Sequence, residues 1–442
     1  MKLSGWGRYP VVDAQVAAPR STEDVLKLVQ QGSAIARGNG RAYGDSAVSA
    51  SNTIHMKHFN RMLAFDAKSG QLIAEAGVLL ADVIEAFLPR GWFPSVTPGT
   101  KFVTLGGMIA ADVHGKNHHK DGSFGTYVDW IDVVTGDGTV QRCSKAENTK
   151  LFEWTIGGMG LTGVVLRAAI RLRPVSSTWI EQRTLVANNI KHVIELFEQS
   201  KDATYSVAWI DCLQTGPAMG RSLVMLGEHA EAEANAVAPQ YRKLPLQTSV
   251  KRKLGIPVDF PSWTLNSLTV RAFNALYYWN GKRKPQQQLV DWDSYFYPLD
   301  AILGWNKIYG RRGFAQFQCV IPLIHAEQGL SELLEAIANT GAGSFLAVLK
   351  RFGAQESRFS FPMEGYTLAL DFSVNAKNLA LMNELDKITM RYNGRFYLAK
   401  DSRMNRDVFQ QAECRADAYK NYRQSEGASA AYSSAQSERL GL

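Results

Sequence analysis

The 442-residue chain is 45% apolar, 10% aromatic and 20% charged, with 49 basic and 41 acidic side chains for a net charge of +8. That composition excludes a disordered, collagenous or low-complexity chain, and the length suits two domains better than one. The basic excess favours anionic partners of some kind but does not name them.

The first twenty residues carry Trp6, Arg8, Pro10, Asp13 and Pro19 where a secretory signal needs an unbroken apolar core. No apolar run approaches the ~18 to 20 residues needed to cross a bilayer. The expectation is a cytoplasmic protein with at most peripheral contact to the inner membrane. Residues 21–31 read as a helix capped by Ser21 and Thr22, with Glu23 and Asp24 in its first turn. A short apolar run at 34–36 then enters the loop Arg37-Gly38-Asn39-Gly40-Arg41-Ala42-Tyr43-Gly44-Asp45, whose three glycines imply a tight turn or close approach to a ligand. Strand-like segments follow at 53–56 and 72–75, then a helix at 80–88 and a second glycine cluster at 98–107 that opens an apolar helix. Residues 131–134 and 139–142, joined by Gly136-Asp137-Gly138, read as a hairpin.

A literal G-x-G-x-x-G stands at Gly158, Gly160 and Gly163, but 151–156 looks helical before it and 164–172 looks like a strand after it. A dinucleotide site of the Rossmann kind needs the reverse order, so an NAD-dependent dehydrogenase is disfavoured. Beyond Arg173-Pro174 the glycine punctuation thins, and a domain boundary falls near residue 177. Strand-like runs at 317–321, 345–349 and 366–372 alternate with helical stretches at 329–338 and 379–391, which predicts an α+β second domain over a sheet. Within it Arg242-Lys243, Lys251-Arg252-Lys253 and Lys282-Arg283-Lys284 flank an apolar, aromatic stretch at 256–279. That pattern suits either a solvated basic loop beside a core helix or a surface resting on anionic headgroups. No nucleic-acid reading module is evident.

Backbone amides freed by glycine turns make concave donors for phosphate oxygens, and two such loops suggest a diphosphate. His114, His118 and His119 invite a metal reading, which is weakened by Gly115 in the would-be helix, by the lack of a carboxylate at the zincin glutamate position and by the lack of a nearby cysteine. Cys143, Cys212, Cys319 and Cys414 show no C-x-x-C spacing.

The run from Ala36 to Asp45, followed by Pro98-Gly99-Thr100 and Leu105-Gly106-Gly107, resembles the FAD domain of vanillyl-alcohol-oxidase-type flavoproteins. Asp112-Val113-His114-Gly115-Lys116-Asn117-His118-His119, Gly122-Ser123-Phe124-Gly125 and Tyr397-Leu398-Ala399-Lys400-Asp401-Ser402-Arg403 resemble the decaprenylphosphoryl-β-D-ribose 2′-oxidase family. The resemblance implies a two-domain α+β protein with a PCMH-type FAD-binding fold. Residues 1–177 and 395–442 would form the FAD domain, and residues 178–394 an inserted α+β substrate domain on an antiparallel sheet. Ala36, Arg37, Gly38, Asn39, Gly40, Arg41, Ala42, Tyr43, Gly44, Asp45 and Ser46, with Thr104, Leu105, Gly106 and Gly107, would cradle the FAD pyrophosphate through amides. Gly99, Ala111, Asp112, Val113, His114, Val165 and Tyr397 would line the rest.

Relatives that tether FAD carry a histidine in the first loop, where this chain has Arg41 and Ala42, so non-covalent FAD is implied. The implied reaction oxidises the 2′-hydroxyl of a polyprenyl-phosphate-linked pentose to a keto sugar, which a short-chain reductase would carry on to the epimer for cell-wall arabinan synthesis. Quinone or oxygen would take the electrons. By resemblance Lys400 binds the sugar hydroxyl and helps its proton leave, Tyr43 and His114 flank flavin and sugar, Gln316 and Gln318 hold the ring, and Lys116 and Lys350 meet the lipid phosphate. Ala369, Lys307 and Thr367 stand where mycobacterial members have cysteine, arginine and asparagine, and the last two are expected at the sugar pocket. An oxidase of free sugar alcohols or aldonolactones is the competing flavoprotein reading.

Overall fold

The computed structural model describes residues 1–231, 246–248, 254–261, 264 and 266–442. Arg242, Lys243, Lys251, Arg252 and Lys253 lie outside the described residues.

The N-terminal half is built mainly on a three-stranded and a six-stranded sheet, beside a two-stranded ribbon of Lys2–Ser4 and Val11–Asp13. Thr22–Gln30 is a helix whose N-cap Ser21 accepts the Asp24 amide, and it buries Val25 and Val29. Beside it Val16–Ala17, Thr53–His55 and Ile35–Arg37 form a three-stranded parallel sheet, so Ile35–Arg37 delivers the first glycine loop at its C-terminal end. The second sheet runs in the order Val140–Ser144, Val128–Val134, Val164–Pro174, Gln71–Glu75, Met62–Asp66, with Trp92–Pro94 also paired to the end of Val164–Pro174, all antiparallel. Its core packs the helices Leu80–Phe87 and Leu105–Ala110. As the sequence order requires, the helix Thr149–Thr155 precedes Gly158 and the strand Val164–Pro174 follows it.

The second half is built on an eight-stranded antiparallel sheet, in the order Gln287–Asp291, Trp179–Ala187, Ser222–His229, Tyr205–Ile210, Ala347–Phe352, Gly365–Ser373, Phe314–Pro322, Arg395–Phe396, with Leu254–Gly255 and Ile302–Leu303 as a separate parallel pair. Because side chains alternate along a strand, one face of each strand is apolar. Phe317, Cys319, Ile321, Leu349, Leu368 and Leu370 bury against the helices Ile190–Gln199, Ala326–Thr340 and Ala376–Arg391. The intervening residues Gln316, Gln318, Val348, Lys350, Thr367 and Ala369 point the other way, into a cavity shared with the N-terminal half. A one-residue slip of any of these strands would exchange the two sets.

The C-terminal segment ties the halves together. Its first strand, Arg395–Phe396, joins the edge of the eight-stranded sheet, while Ala431 O accepts the Ala34 amide at 2.8 Å beside the parallel sheet. Residues 395–442 therefore touch both layers. No described helix is long and apolar enough to cross a membrane.

Candidate active site

A cavity of about 570 Å³ lies between the glycine loops and the inner face of the large sheet. Of the residues expected around the cofactor, Ala36, Gly38, Asn39, Gly40, Arg41, Ala42, Tyr43, Ser46, Gly99, Thr104, Gly106, Gly107, Ala111, Val113, His114, Val165 and Tyr397 line it. Lys116, Gln316, Gln318, Lys350 and Lys400 line the same space.

Five expected residues do not. Arg37 turns its guanidinium to the carbonyls of Ser4 and Ala47. Gly44 packs against the Asp401–Ser402 backbone so closely that a Cβ has no room. Asp45 pairs with Arg439 at 2.7 Å. Leu105 is a core residue. Asp112, at φ 38°, accepts from Ser123 Oγ and Gly125 N at 2.7 Å and from Gln355 Nε2 at 3.0 Å, so its carboxylate fastens a turn instead of facing the cavity. Lys307 does not line the cavity either: its ammonium donates to the carbonyls of Ile256 and Pro257.

The two glycine clusters also differ in what they offer. Among the described residues the amides of Asn39, Gly40, Arg41 and Ala42 donate to no protein acceptor. In the second cluster the amides that open the helix are already engaged, Leu105 with Val78 O at 3.0 Å, Gly106 with Ala76 O at 2.8 Å, and Gly107 with its N-cap Thr104 Oγ1 at 3.3 Å. The donor cradle is therefore the first loop, and the second supplies close packing: a Cβ on Gly106 would meet Ala76, and one on Gly99 would point into open space. Free amides on one wall and Cβ-free backbone on the other fit a flat, diphosphate-bearing nucleotide.

The opposite wall is chemically distinct. Lys400 follows the strand Arg395–Phe396, and the loop carrying it is laced to the first glycine loop by the Tyr43 amide on Ala399 O at 2.9 Å. Arg439 clamps the same junction, bonding Asp45 at 2.7 Å and Asp401 at 2.9 Å. The Lys400 ammonium sits 3.7 Å above the Tyr43 ring centroid. Burial lowers its pKa from the ordinary lysine value; Asp371 opposes that shift and Lys350 adds to it. Lys116, Lys350 and Lys400 are all half-buried, and what exposure they have faces the cavity rather than bulk water. Desolvation accordingly brings Lys116 to about 7, with help from Lys350, and Lys350 to about 8. Lys116 donates to Tyr295 O and lies 4.1 Å from that ring's centroid.

His114 is held neutral. Burial and the nearby Lys350 keep it well below its usual pKa. Gln318 Nε2 stands 3.2 Å from its Nε2 and 3.1 Å from Thr367 Oγ1. The three histidines do not converge on a metal. His118 begins the short helix His118–Asp121 with its ring on Gln355, His119 bonds Ala203 O, and His114 lies outside the helix. Among the described residues no group of three metal-ligating side chains forms.

Asp371 was not singled out from sequence. It is fully buried, cross-strand from Gln316, and accepts from Gln316 Nε2. Its Oδ2 has no partner among the described residues. Burial raises its pKa, while Gln316 and Lys400 pull the other way. The available signal was its alternation with Thr367 and Ala369.

Residues 14–144 match the FAD binding domain family. The site and this match define an FAD-binding oxidoreductase of the PCMH type, acting on CH-OH groups. Over its whole length the chain is 33% identical to decaprenylphosphoryl-beta-D-ribose oxidase of Mycolicibacterium smegmatis, covering 97% of that protein. The chain belongs to that family. It is also 31% identical to a Streptomyces coelicolor protein of the mprA 5′ region, over 83% of this chain and all of the other. L-gulonolactone oxidase of Bos taurus is 29% identical over 44% of this chain and 45% of its own.

Proposed function

We propose that this protein oxidises the 2′-hydroxyl of a polyprenyl-phosphate-linked pentose, similar to decaprenylphosphoryl-ribose, to the keto sugar. The observation that carries the reading is a desolvated lysine, Lys400, at the junction of the amide cradle and a polar, cation-rich sheet face. FAD bound non-covalently in the cradle supplies a hydride acceptor for the carbinol carbon. Lys400 in its neutral form takes the hydroxyl proton as the carbonyl forms, which the lowered pKa permits near neutral pH. Gln316 and Gln318 orient the sugar ring, and His114, unable to take a proton readily, serves as a neutral hydrogen-bonding wall. Tyr43 carries the Lys400 ammonium on its ring face and fixes where the proton is received.

Lys116 and Lys350 face the phosphate of the substrate. Residues 1–177 with 395–442 act as the FAD domain, and 178–394 as the substrate domain. The keto product is the first half of an epimerisation in cell-envelope arabinan synthesis, completed by a short-chain reductase, with quinone or oxygen reoxidising the cofactor.

The test is anaerobic. A polyprenylphosphoryl pentose of short chain length should bleach the flavin absorbance of the purified protein, and a free pentose or an aldonolactone should not. Bleaching by L-gulonolactone in place of the lipid-linked sugar would move the assignment to the lactone oxidases, for which the bovine relative speaks.

A further inference from the structure

The helix Ser267–Arg283 has two faces of opposite character. Its inner face is firmly seated: Val270 and Asn274 are buried, and Asn274 Nδ2 donates to Asp211 Oδ1 at 2.8 Å. Tyr277 packs on Trp209 with centroids 4.7 Å apart, and Gly281 lies so near Leu223 that a Cβ would run into that side chain. An Asn266–Thr269 capping box closes its N-terminus. The helix therefore holds its place without an outer partner.

On the outer face Leu268, Leu276 and Trp279 recur at i, i+8 and i+11, one stripe of an α-helix, and are 76%, 57% and 50% exposed. Arg271, Lys282 and Arg283 border this stripe, with the Arg283 guanidinium 4.0 Å from the Trp279 ring centroid. The helix contains no Asp or Glu. A second copy of this face would set arginines and lysines against their like, so charge complementarity selects an anionic partner. Apolar side chains at the centre, cations at the margins and a tryptophan under an arginine match the layering of a lipid headgroup region. The location agrees. Tyr277 and Lys284, on the other side of the same helix and at its C-cap, line the cavity. So do Leu299 and Trp305, which bracket the exposed strand Ile302–Leu303.

We propose that the outer face of Ser267–Arg283 docks on an anionic lipid surface, with Leu268, Leu276 and Trp279 below headgroup level and Arg271, Lys282 and Arg283 against the phosphates. Docking there sets the cavity arm beneath Tyr277 at the membrane. This deepens the lipid-linked reading of the substrate and rests on it for what is delivered, while binding itself is measured without turnover.

The experiment is sedimentation of the holoenzyme with vesicles of phosphatidylglycerol and phosphatidylcholine, or of phosphatidylcholine alone. Mixed vesicles should bind at least tenfold more tightly. The pair Leu276→Glu and Trp279→Glu should lose at least tenfold in binding with the flavin spectrum and melting temperature unchanged. The pair Lys282→Gln and Arg283→Gln should lose the preference for the anionic lipid. Failure of the wild type to sediment, equal sedimentation of all three proteins, or a wild-type dimer that the glutamate pair dissociates would overturn the proposal. Intact vesicle binding with no flavin bleaching by a lipid-linked pentose would instead reject the substrate reading and leave the docking face standing.

Discussion

Gly38→Ala tests whether the two glycine clusters are packed as one unit. A Cβ at Gly38 would sit on Thr104 Oγ1, with Thr104 Cγ2 and Cβ at 3.0 and 3.1 Å. Gly38 has no positive φ, so the cost is collision rather than backbone strain. Making room means displacing Thr104, whose Oγ1 caps Leu105–Ala110 by accepting the Gly107 amide. Overpacking of this kind costs about 1 to 3 kcal/mol, and a lost N-cap adds about 1 kcal/mol. Thr104→Ala alone should cost only the cap. In the double variant the alanine methyl enters the space the threonine vacated, so the total should fall short of the sum by about 1 to 2 kcal/mol. The assay is denaturant unfolding of all four proteins at one fixed FAD concentration, with each FAD dissociation constant measured by fluorescence so that ligand linkage is subtracted. Additivity to within about 0.5 kcal/mol would refute the packing argument.

Three further outcomes follow from the same geometry. Lys400→Met should lower turnover by roughly 10²- to 10⁴-fold, the usual span for a positioned acid or base, while absorbance shows flavin still bound; unchanged turnover would remove Lys400 from the chemistry. Turnover should rise with pH as Lys400 loses its proton, with the inflection below the ~10.4 of a free lysine. Asp371→Asn removes a carboxylate that favours the ammonium and should move that inflection to lower pH, whereas Lys350→Met removes a repelling cation and should move it higher; shifts of the opposite sign in a stopped-flow pH series would contradict the assigned field. Arg439→Ala leaves the buried Asp45 and Asp401 without their shared cation and should destabilise the protein by about 3 kcal/mol or more, read as a lowered denaturation midpoint.

Much of this was legible because it is local. Glycine spacing marked the loop at Gly38 and Gly40, and period-two alternation marked Gln316 and Gln318 as sharing a strand face. The helix-before-strand order around Gly158 likewise followed from apolar periodicity, and the structure has it. What stayed hidden depends on partners distant in sequence. The second cluster looked like a set of free amides, yet Val78 and Ala76 take two of them, and nothing in 98–107 says so. Asp112 and Asp45 read as loop residues near a ligand, but Gln355 and Arg439 claim them from 243 and 394 positions away. Asp371 gave only an alternation signal, and its buried, half-satisfied carboxylate emerges when its strand pairs with that of Gln316.

The cavity wall carries more cationic capacity than it has anions to satisfy. Lys116 at about 7 and Lys350 at about 8 are largely uncharged in mildly alkaline solution because each is cut off from water. A phosphodiester placed between them would restore the charged forms, since a nearby anion raises a lysine pKa. Substrate binding above pH 8 should then take up protons, approaching two per site, and the uptake should vanish below about pH 6, where both lysines are already protonated. Calorimetric titration of the holoenzyme with a polyprenylphosphoryl pentose, in two buffers of different ionisation enthalpy, reads this number directly. An enthalpy independent of buffer at pH 8.5 would mean that the phosphate lies elsewhere and that these two lysines serve the fold alone.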